Sequence, residues 1–335
     1  MRDFRNIVSG GPSIIRKPGA YRSNLELTNS LRSNFLAAQQ DYGVYDNEHD
    51  DSSDAQNGNS DHANSNGHTN GVAKRNVNGN TNGFHHRKDS VATWTVYQDG
   101  VLYVPRIDWE LAGLQEEPAQ YDITVKLFFL PTAAVSQRAD HAREALGLVL
   151  KELAVPAIDL LVVSFPGMSF DGDCEWDADR RNATQGNDDE EAATWPAVEA
   201  LYEEGLVKRL GIAEFGSEKL TRFLKRVQIR PAVNQINIKN CCNVPPPLVK
   251  LAKEQGIELL VHSDCTDILS RGTLRELLGP GLQGAGLLAD PETDSPGLQG
   301  DLTPQWVVKY TAVVRDRGVI ENKGYFASAD LAEGQ

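Results

Sequence analysis

The chain has 335 residues, of which 40% are hydrophobic, and it carries a formal net charge of −14 at pH 7. This composition supplies enough apolar surface for a sizeable core. The acidic balance argues against a nucleic-acid partner, because phosphate contacts need clustered lysines and arginines. It also argues against binding to an anionic membrane surface.

Targeting and membrane-spanning segments are not predicted. Residues 1–11 contain scattered charges and no apolar run, so we expect no secretory signal. Apolar runs such as 160–163 are too short to cross a bilayer. The cysteines show no spacing typical of metal sites, so we interpret them as reduced thiols of a cytoplasmic protein. They are Cys174, Cys241, Cys242 and Cys265.

Composition divides the chain into three parts. Residues 1–45 are predicted to form the N-terminal part of the fold, and residues 91–335 the remainder. Between them, residues 46–90 are rich in Asn, Gly, Asp, Ser and His and almost free of apolar residues. Such a segment buries too little surface to offset the entropy of ordering, so we predict a disordered insertion. Its histidines, such as His62 and His68, lack the partners of a metal site, so no metal is expected.

From residue 123 onward, apolar runs alternate with helical patterns. The strands are predicted over 123–130, 158–165, 210–213, 232–237 and 257–262. The helices are predicted over 136–153, 195–204, 217–227, 246–254, 266–278 and 303–315, followed by an extended piece over 318–325. This alternation predicts right-handed βαβ units and a parallel sheet.

Two parallel architectures are possible, a closed barrel and a doubly wound sheet. A dinucleotide-binding doubly wound sheet would need a glycine fingerprint between a strand and a helix. The match to G-x-G-x-x-G, at 279–284, follows a predicted helix and contains Pro280, so it fails this condition. We therefore predict an α/β fold of the TIM-type (β/α)8 barrel class.

Several of these segments resemble motifs of the aldo/keto reductase family. Residues 158–166, IDLLVVSFP, resemble the family motif L-D-L-Y-L-I-H-W-P. Residues 210–215, LGIAEF, resemble I-G-V-S-N-F, and residues 231–236, PAVNQI, resemble P-A-V-N-Q-V. The motifs occur in family order. The resemblance implies an aldo/keto reductase-like barrel.

A more specific similarity points to one branch of that superfamily, the regulatory (modifier) subunits of glutamate–cysteine ligase. It rests on NQINIKNCCNVPP at 234–246, HSD at 262–264 and RGVIENKGY at 317–325. The resemblance implies a heterodimer with the ligase catalytic subunit, which joins glutamate to cysteine in glutathione biosynthesis. It also implies better use of glutamate and weaker feedback inhibition by glutathione.

The resemblance also identifies positions where reductase chemistry would occur. Reductases of this family use Asp, Tyr, Lys and His together, and the tyrosine donates the proton. Lys126 matches the lysine, but Ser164 replaces the histidine and cannot reproduce an imidazole. Tyr42 and Tyr45 are candidate proton donors by residue type only. We interpret Lys126 and Ser164 as relics, with Lys126 paired to an acid such as Asp159. The alternative is an NADPH-dependent oxidoreductase with a divergent active site.

The positions that would bind a nicotinamide cofactor also depart from the family pattern. Ala213 and Glu214 replace the Ser-Asn pair that holds the nicotinamide amide, so a donor is lost and a negative charge is added. His262 replaces the stacking tyrosine, and Lys323 is not followed by the family's serine. Gln235 is retained. We therefore expect no dinucleotide cofactor.

Cys241 and Cys242 are the candidates for partner or redox contacts. They follow a predicted strand, on the face where barrel sites lie. Two interpretations stay open at this stage: a thiolate in redox contact with a partner, or buried cysteines that act as small hydrophobic residues.

Overall fold

The fold is described by a computed structural model. It covers residues 4–10, 23–49, 91–238, 243–265, 267–281, 283–290, 292–293 and 296–332, with only the backbone described for 4–10, 23 and 43–49. Cys241, Cys242 and residues 50–90 lie outside the described residues, as does the Tyr45 side chain. The predictions of a disordered insertion and of redox cysteines therefore stay predictions.

The middle of the chain alternates strands and helices. The strands are β4 (Tyr121–Phe129), β5 (Leu160–Ser164), β6 (Leu210–Ala213), β7 (Val233–Asn237) and β8 (Glu258–His262). The helices are α3 (Arg138–Leu153), α4 (Glu175–Asn182), α5 (Asp188–Glu203), α6 (Ser217–Phe223) and α7 (Pro246–Gln255). The five predicted strands of this region are confirmed.

The two ends of the chain add further elements. The N-terminal ones are β1 (Phe4–Gly10), α1 (Ser23–His49), α2 (Val91–Trp94), β2 (Val96–Gln98) and β3 (Val101–Val104). The C-terminal ones are α8 (Arg271–Leu278), β9 (Asp301–Val314) and β10 (Val319–Ala332). Helix α1 thus extends past residue 46, the predicted start of the insertion. Across the part of the chain that the structure describes, no helix has both the length and the apolar character needed to cross a membrane.

Local sequence explains where the helices begin and end. The Asn187 side chain caps α5 by accepting hydrogen bonds from the backbone N–H groups of Asp189 and Glu190. Helix α7 begins with prolines, whose missing N–H costs nothing in a first turn. It ends at Gly256, which has a φ of 68°, a left-handed conformation that suits glycine.

All ten strands belong to one sheet, in the order β2-β3-β1-β10-β9-β4-β5-β6-β7-β8. Strands β4 to β8 run parallel, which confirms the α/β class and the predicted βαβ units. The sheet differs from a closed eight-stranded barrel because β4 pairs on its other side with antiparallel β9. Among the described strands, β8 therefore remains at an edge of an open sheet.

The prediction of a helix over 303–315 is wrong, because these residues form β9. Trp306, Val308, Tyr310 and Ala312 alternate into the core with a period of two, which is the period of a strand. The β-branched and aromatic residues also favour a strand. β9 pairs with β4 on one side and with β10 on the other.

The main core lies between the parallel strands and helices α3 to α7. Phe165, Phe215, Phe223 and Trp195 form its aromatic centre, and the rings of Trp195 and Phe223 meet edge to face with centroids 5.1 Å apart. Burying each such side chain contributes roughly 1.5–3 kcal/mol. A second core packs α1 and α8 against β10 and its neighbours. These two cores fix the strand ends that carry the candidate site.

Candidate functional site

A cluster of buried charges lies at the carboxyl ends of the parallel strands. Lys126 of β4 is only 4% exposed. Its Nζ lies 3.0 Å from Oδ2 of Asp264 and 3.4 Å from Nδ1 of His262. Parallel strands place their carboxyl ends on one side of the sheet. Because three strands separate β4 from β8, the contact between Lys126 and His262 also requires the sheet to curl. We call this group, together with Glu214 and Lys309, the ion cluster.

Asp264 is shared by two lysines. Lys309 of β9 lies 2.9 Å from Oδ1, while Lys126 contacts Oδ2. Burial alone would raise the pKa of Asp264, but the two ammonium groups outweigh it and hold that pKa well below its usual range. Burial lowers the pKa of Lys126, and the neighbouring Asp264 offsets part of this effect. The ion cluster therefore depends on each charge keeping its partner.

His262 connects Asp264 with a second carboxylate. Its Nδ1 accepts a hydrogen bond of 3.1 Å from the backbone N–H of Asp264 and also faces the Lys126 ammonium. Because both neighbours are donors, Nδ1 acts as the acceptor, which places the ring N–H on Nε2. Nε2 lies 2.7 Å from Oε1 of Glu214, at ion-pair distance without hydrogen-bond alignment. The imidazole thus links the two carboxylates.

Glu214 has an unusual backbone. Its φ is 65°, in the left-handed region that residues other than glycine rarely adopt. Asn182 holds this conformation by donating from Nδ2 to the Glu214 carbonyl oxygen at 2.7 Å. The backbone N–H of Asn237 donates to Oε2 at 3.2 Å. A buried carboxylate, 1% exposed, is therefore fixed beside His262.

The structure brings together some predicted site residues and separates others. Lys126, Glu214 and His262 meet in the ion cluster. Ser164 pairs in register with Phe128, next to this end of β4. Gln235 pairs in register with Ala213, just before Glu214. Lys323 lies on β10, where it forms an ion pair with Glu26 of α1.

Other expectations need correction. Asp159 pairs with Lys208 and Arg315, whereas the acid that pairs with Lys126 is Asp264. Tyr42 lies against Arg106, whose guanidinium carbon is 4.8 Å from the ring centroid. Sequence reasoning missed Asp264 and Lys309 as site residues. Alternation along a strand would have placed Lys309 on the same face as Val307 and Thr311, but the helical interpretation of 303–315 concealed this signal.

Comparison with known proteins gives this arrangement a context. Residues 111–277 match the family model described as the aldo/keto reductase family. A Schizosaccharomyces pombe protein provisionally named a glutamate–cysteine ligase regulatory subunit is 30% identical over 236 residues, which cover 67% of this chain and 75% of that protein. The Homo sapiens glutamate–cysteine ligase regulatory subunit is 24% identical over 215 residues, 64% of this chain and 68% of that protein.

Among solved structures, Bombyx mori aldo-keto reductase AKR2E4 in complex with NADP is similar over 42% of this chain and 40% of its own, with 27% identity and a TM-score of 0.30. The matched domain and the α/β fold define a protein of the aldo/keto reductase type. Within that type, the chain belongs to the family of glutamate–cysteine ligase regulatory subunits. The predicted resemblance is confirmed.

The family raises the question of whether the residues present fit a nicotinamide cofactor. A nicotinamide amide needs a donor for its carbonyl oxygen, but Glu214 offers only acceptor oxygens when ionised. The nitrogens of His262 face Glu214, Lys126 and the Asp264 backbone, and Lys126 is held by Asp264. These side chains are engaged with one another, and the Glu214 carboxylate does not fit the nicotinamide amide.

Proposed function

We propose that this protein is a non-catalytic regulatory subunit that forms a heterodimer with the catalytic subunit of glutamate–cysteine ligase. In the heterodimer it improves the use of glutamate and weakens feedback inhibition by glutathione. The names of the relatives support the regulatory role, and binding to the catalytic subunit is the step we add.

The observation that supports the non-catalytic part of the proposal is the set of contacts made by the Lys126 ammonium group. In a reductase of this type the lysine lowers the pKa of a tyrosine that donates the proton. Here the Lys126 ammonium is held by Asp264 and His262. Within the described ranges, no tyrosine hydroxyl forms a hydrogen bond with Lys126. The lysine therefore stabilises the fold rather than supporting a proton donor.

Such a subunit regulates through a coupling free energy, which links its own binding to the binding of glutamate by the catalytic subunit. The subunit raises glutamate affinity if it binds the high-affinity conformation of the catalytic subunit more tightly than the low-affinity one. A fivefold change in affinity corresponds to about 1 kcal/mol of differential binding. Weaker inhibition by glutathione follows if that conformation binds glutathione less tightly.

The test is the glutamate dependence of ligase activity, measured with the catalytic subunit alone and with this protein added, during a titration with glutathione. We expect a lower KM for glutamate and a higher glutathione concentration for half-inhibition. Unchanged kinetics, together with separate elution of the two chains in gel filtration, would contradict the proposal.

The oxidoreductase alternative is tested by NADPH oxidation with a panel of aldehydes and ketones. We expect no turnover above the blank. Turnover that disappears in Lys126→Met, while Lys225→Met retains it, would favour the reductase. Lys225 is exposed on the surface and serves as the matched control.

A further inference from the structure

A second candidate site lies outside the ion cluster. It is a cavity of about 240 Å³ between the C-terminal end of α3, the loop that follows β3, and the β9–β10 hairpin. This volume corresponds to about eight water molecules, so the cavity admits only a small molecule. Its polar lining comprises Asn34, Arg106, Asp108, Glu152, Tyr310 and Tyr325.

Two aromatic rings form part of the cavity wall. Tyr310 of β9 and Phe326 of β10 are both almost fully buried, and their rings stack with centroids 6.0 Å apart and planes 26° apart. The strand pairing between β9 and β10 holds them in place. Aromatic faces attract organic cations, and burial strengthens the attraction.

Glu152 supplies a carboxylate beside these rings. It is the penultimate residue of α3, where the helix dipole is unfavourable for an anion. Its recorded partner is the Tyr310 hydroxyl, which donates at 3.5 Å, a long and weak hydrogen bond. Burial raises the pKa of Glu152. The neighbouring Lys151 lies over the Trp109 ring at 4.1 Å. Among the described side chains, no cation forms an ion pair with Glu152.

The rim of the cavity carries a positive charge. Arg106 is exposed, and its guanidinium lies over the Tyr42 ring. No carboxylate forms an ion pair with Arg106 in the described part of the chain. A guanidinium binds a carboxylate by paired hydrogen bonds. The cavity thus combines the half-buried Glu152 carboxylate, an aromatic wall, and a mouth that carries both the Arg106 cation and the exposed Asp108 carboxylate.

We propose that this cavity binds a small α-amino acid. The ammonium group of the ligand contacts Glu152 and the Tyr310–Phe326 wall, and its carboxylate contacts Arg106. The ligand supplies the counter-charge that Glu152 lacks among the described residues, while the volume limits the side chain to a few atoms. This inference is independent of the regulatory role, because it concerns binding to the isolated chain.

Isothermal titration calorimetry on the purified full chain tests the inference with four probes: L-2-aminobutyrate, n-propylammonium, butyrate and 1-propanol. We expect L-2-aminobutyrate to bind most tightly, n-propylammonium to bind more weakly, and 1-propanol not to bind. Binding of 1-propanol as tight as that of n-propylammonium, or no binding of either ammonium probe, would overturn the proposal.

Variants separate the two charged contacts. Glu152→Gln should weaken both ammonium probes about tenfold or more, as expected for the loss of a charge-assisted hydrogen bond. Glu110→Gln is the matched control: it removes an exposed carboxylate that does not line the cavity and should leave binding unchanged. Arg106→Gln, at an exposed position where folding is not at risk, should weaken L-2-aminobutyrate but not n-propylammonium. Unchanged L-2-aminobutyrate binding in either Glu152→Gln or Arg106→Gln would overturn the assignment.

Discussion

The ion cluster and the cavity differ in how their carboxylates are neutralised. In the ion cluster, Asp264 lies between Lys126 and Lys309, and its pKa is held down by both. In the cavity, the partner of the Glu152 carboxylate among the described side chains is Tyr310, through a long hydrogen bond, and burial raises the pKa of Glu152. In the ion cluster, the Asp264 carboxylate is neutralised by two ammonium groups, which stabilises the fold and leaves this carboxylate little to offer a ligand. A carboxylate without a cation among the described side chains costs stability when it is ionised and leaves a charge for a ligand to bind.

The largest expected effect comes from removing the shared carboxylate. Asp264→Asn leaves Lys126 and Lys309 without their common partner, and breaking a buried ion pair typically costs about 3–5 kcal/mol. We expect a loss of this size in the free energy of unfolding, measured with urea at pH 7. The matched control is Asp122→Asn, at an exposed position of β4. An equal loss in both variants would contradict this view of the ion cluster.

A second buried lysine sharpens the comparison. Lys219 lies 2.8 Å from both Asp188 and Glu191, in a network that joins α5 to α6. Lys219→Met should destabilise the protein by about 3 kcal/mol, because it leaves the buried Glu191 without a cation. Lys225→Met should change the free energy of unfolding little. A small effect of Lys219→Met in denaturant unfolding would show that the network tolerates an unpaired carboxylate.

The two sites should also differ in their response to pH. The pKa of Asp264 is lower in the folded state than in the unfolded state, so its contribution is present above the ordinary pKa of about 3.9 and is lost as pH falls further. This group contributes at most about 1.4 kcal/mol per pH unit to the slope. The free energy of unfolding should be measured between pH 5 and pH 2, a range set by these ordinary values. Its dependence on pH should be shallower in Asp264→Asn than in the unsubstituted protein. An identical slope would contradict the assignment.

The smallest change in the free energy of unfolding is expected at Glu152, and its sign is opposite to that expected at Asp264. Its folded pKa is raised, so its contribution to stability is complete below the ordinary pKa and is lost as pH rises through the folded value. Above that value the ionised carboxylate destabilises the fold, a cost that a neutral amide avoids. Glu152→Gln should raise the free energy of unfolding by up to about 1 kcal/mol. A clear loss of stability would mean that the carboxylate has a structural partner.

Part of this comparison could be predicted from sequence. Strands β4 to β8 follow from β-branched runs, and the rule that parallel strands end on one side of the sheet places Lys126 and His262 on the same side. Their contact depends on the curl of the sheet, which no local pattern predicts. Asp264 lies in irregular chain beyond β8, where no periodicity fixes a side chain. Lys309 was hidden because 303–315 fits a helical pattern as well as an alternating one. Glu152 gave no signal, because its burial depends on strands more than 150 residues away, at Tyr310 and Phe326.

The order of strands in the sheet has a consequence for how the molecule folds. Strand β4 pairs with β9, and β1 pairs with β10. Both β1 and β4 therefore gain these pairings only after the β9–β10 hairpin has been synthesised. Contacts between residues distant in sequence form late, because long loops must close before they gain pairing energy. During synthesis, Lys126 remains without its partners until Asp264 and then Lys309 have left the ribosome. The C-terminal hairpin is therefore the segment whose arrival completes the sheet.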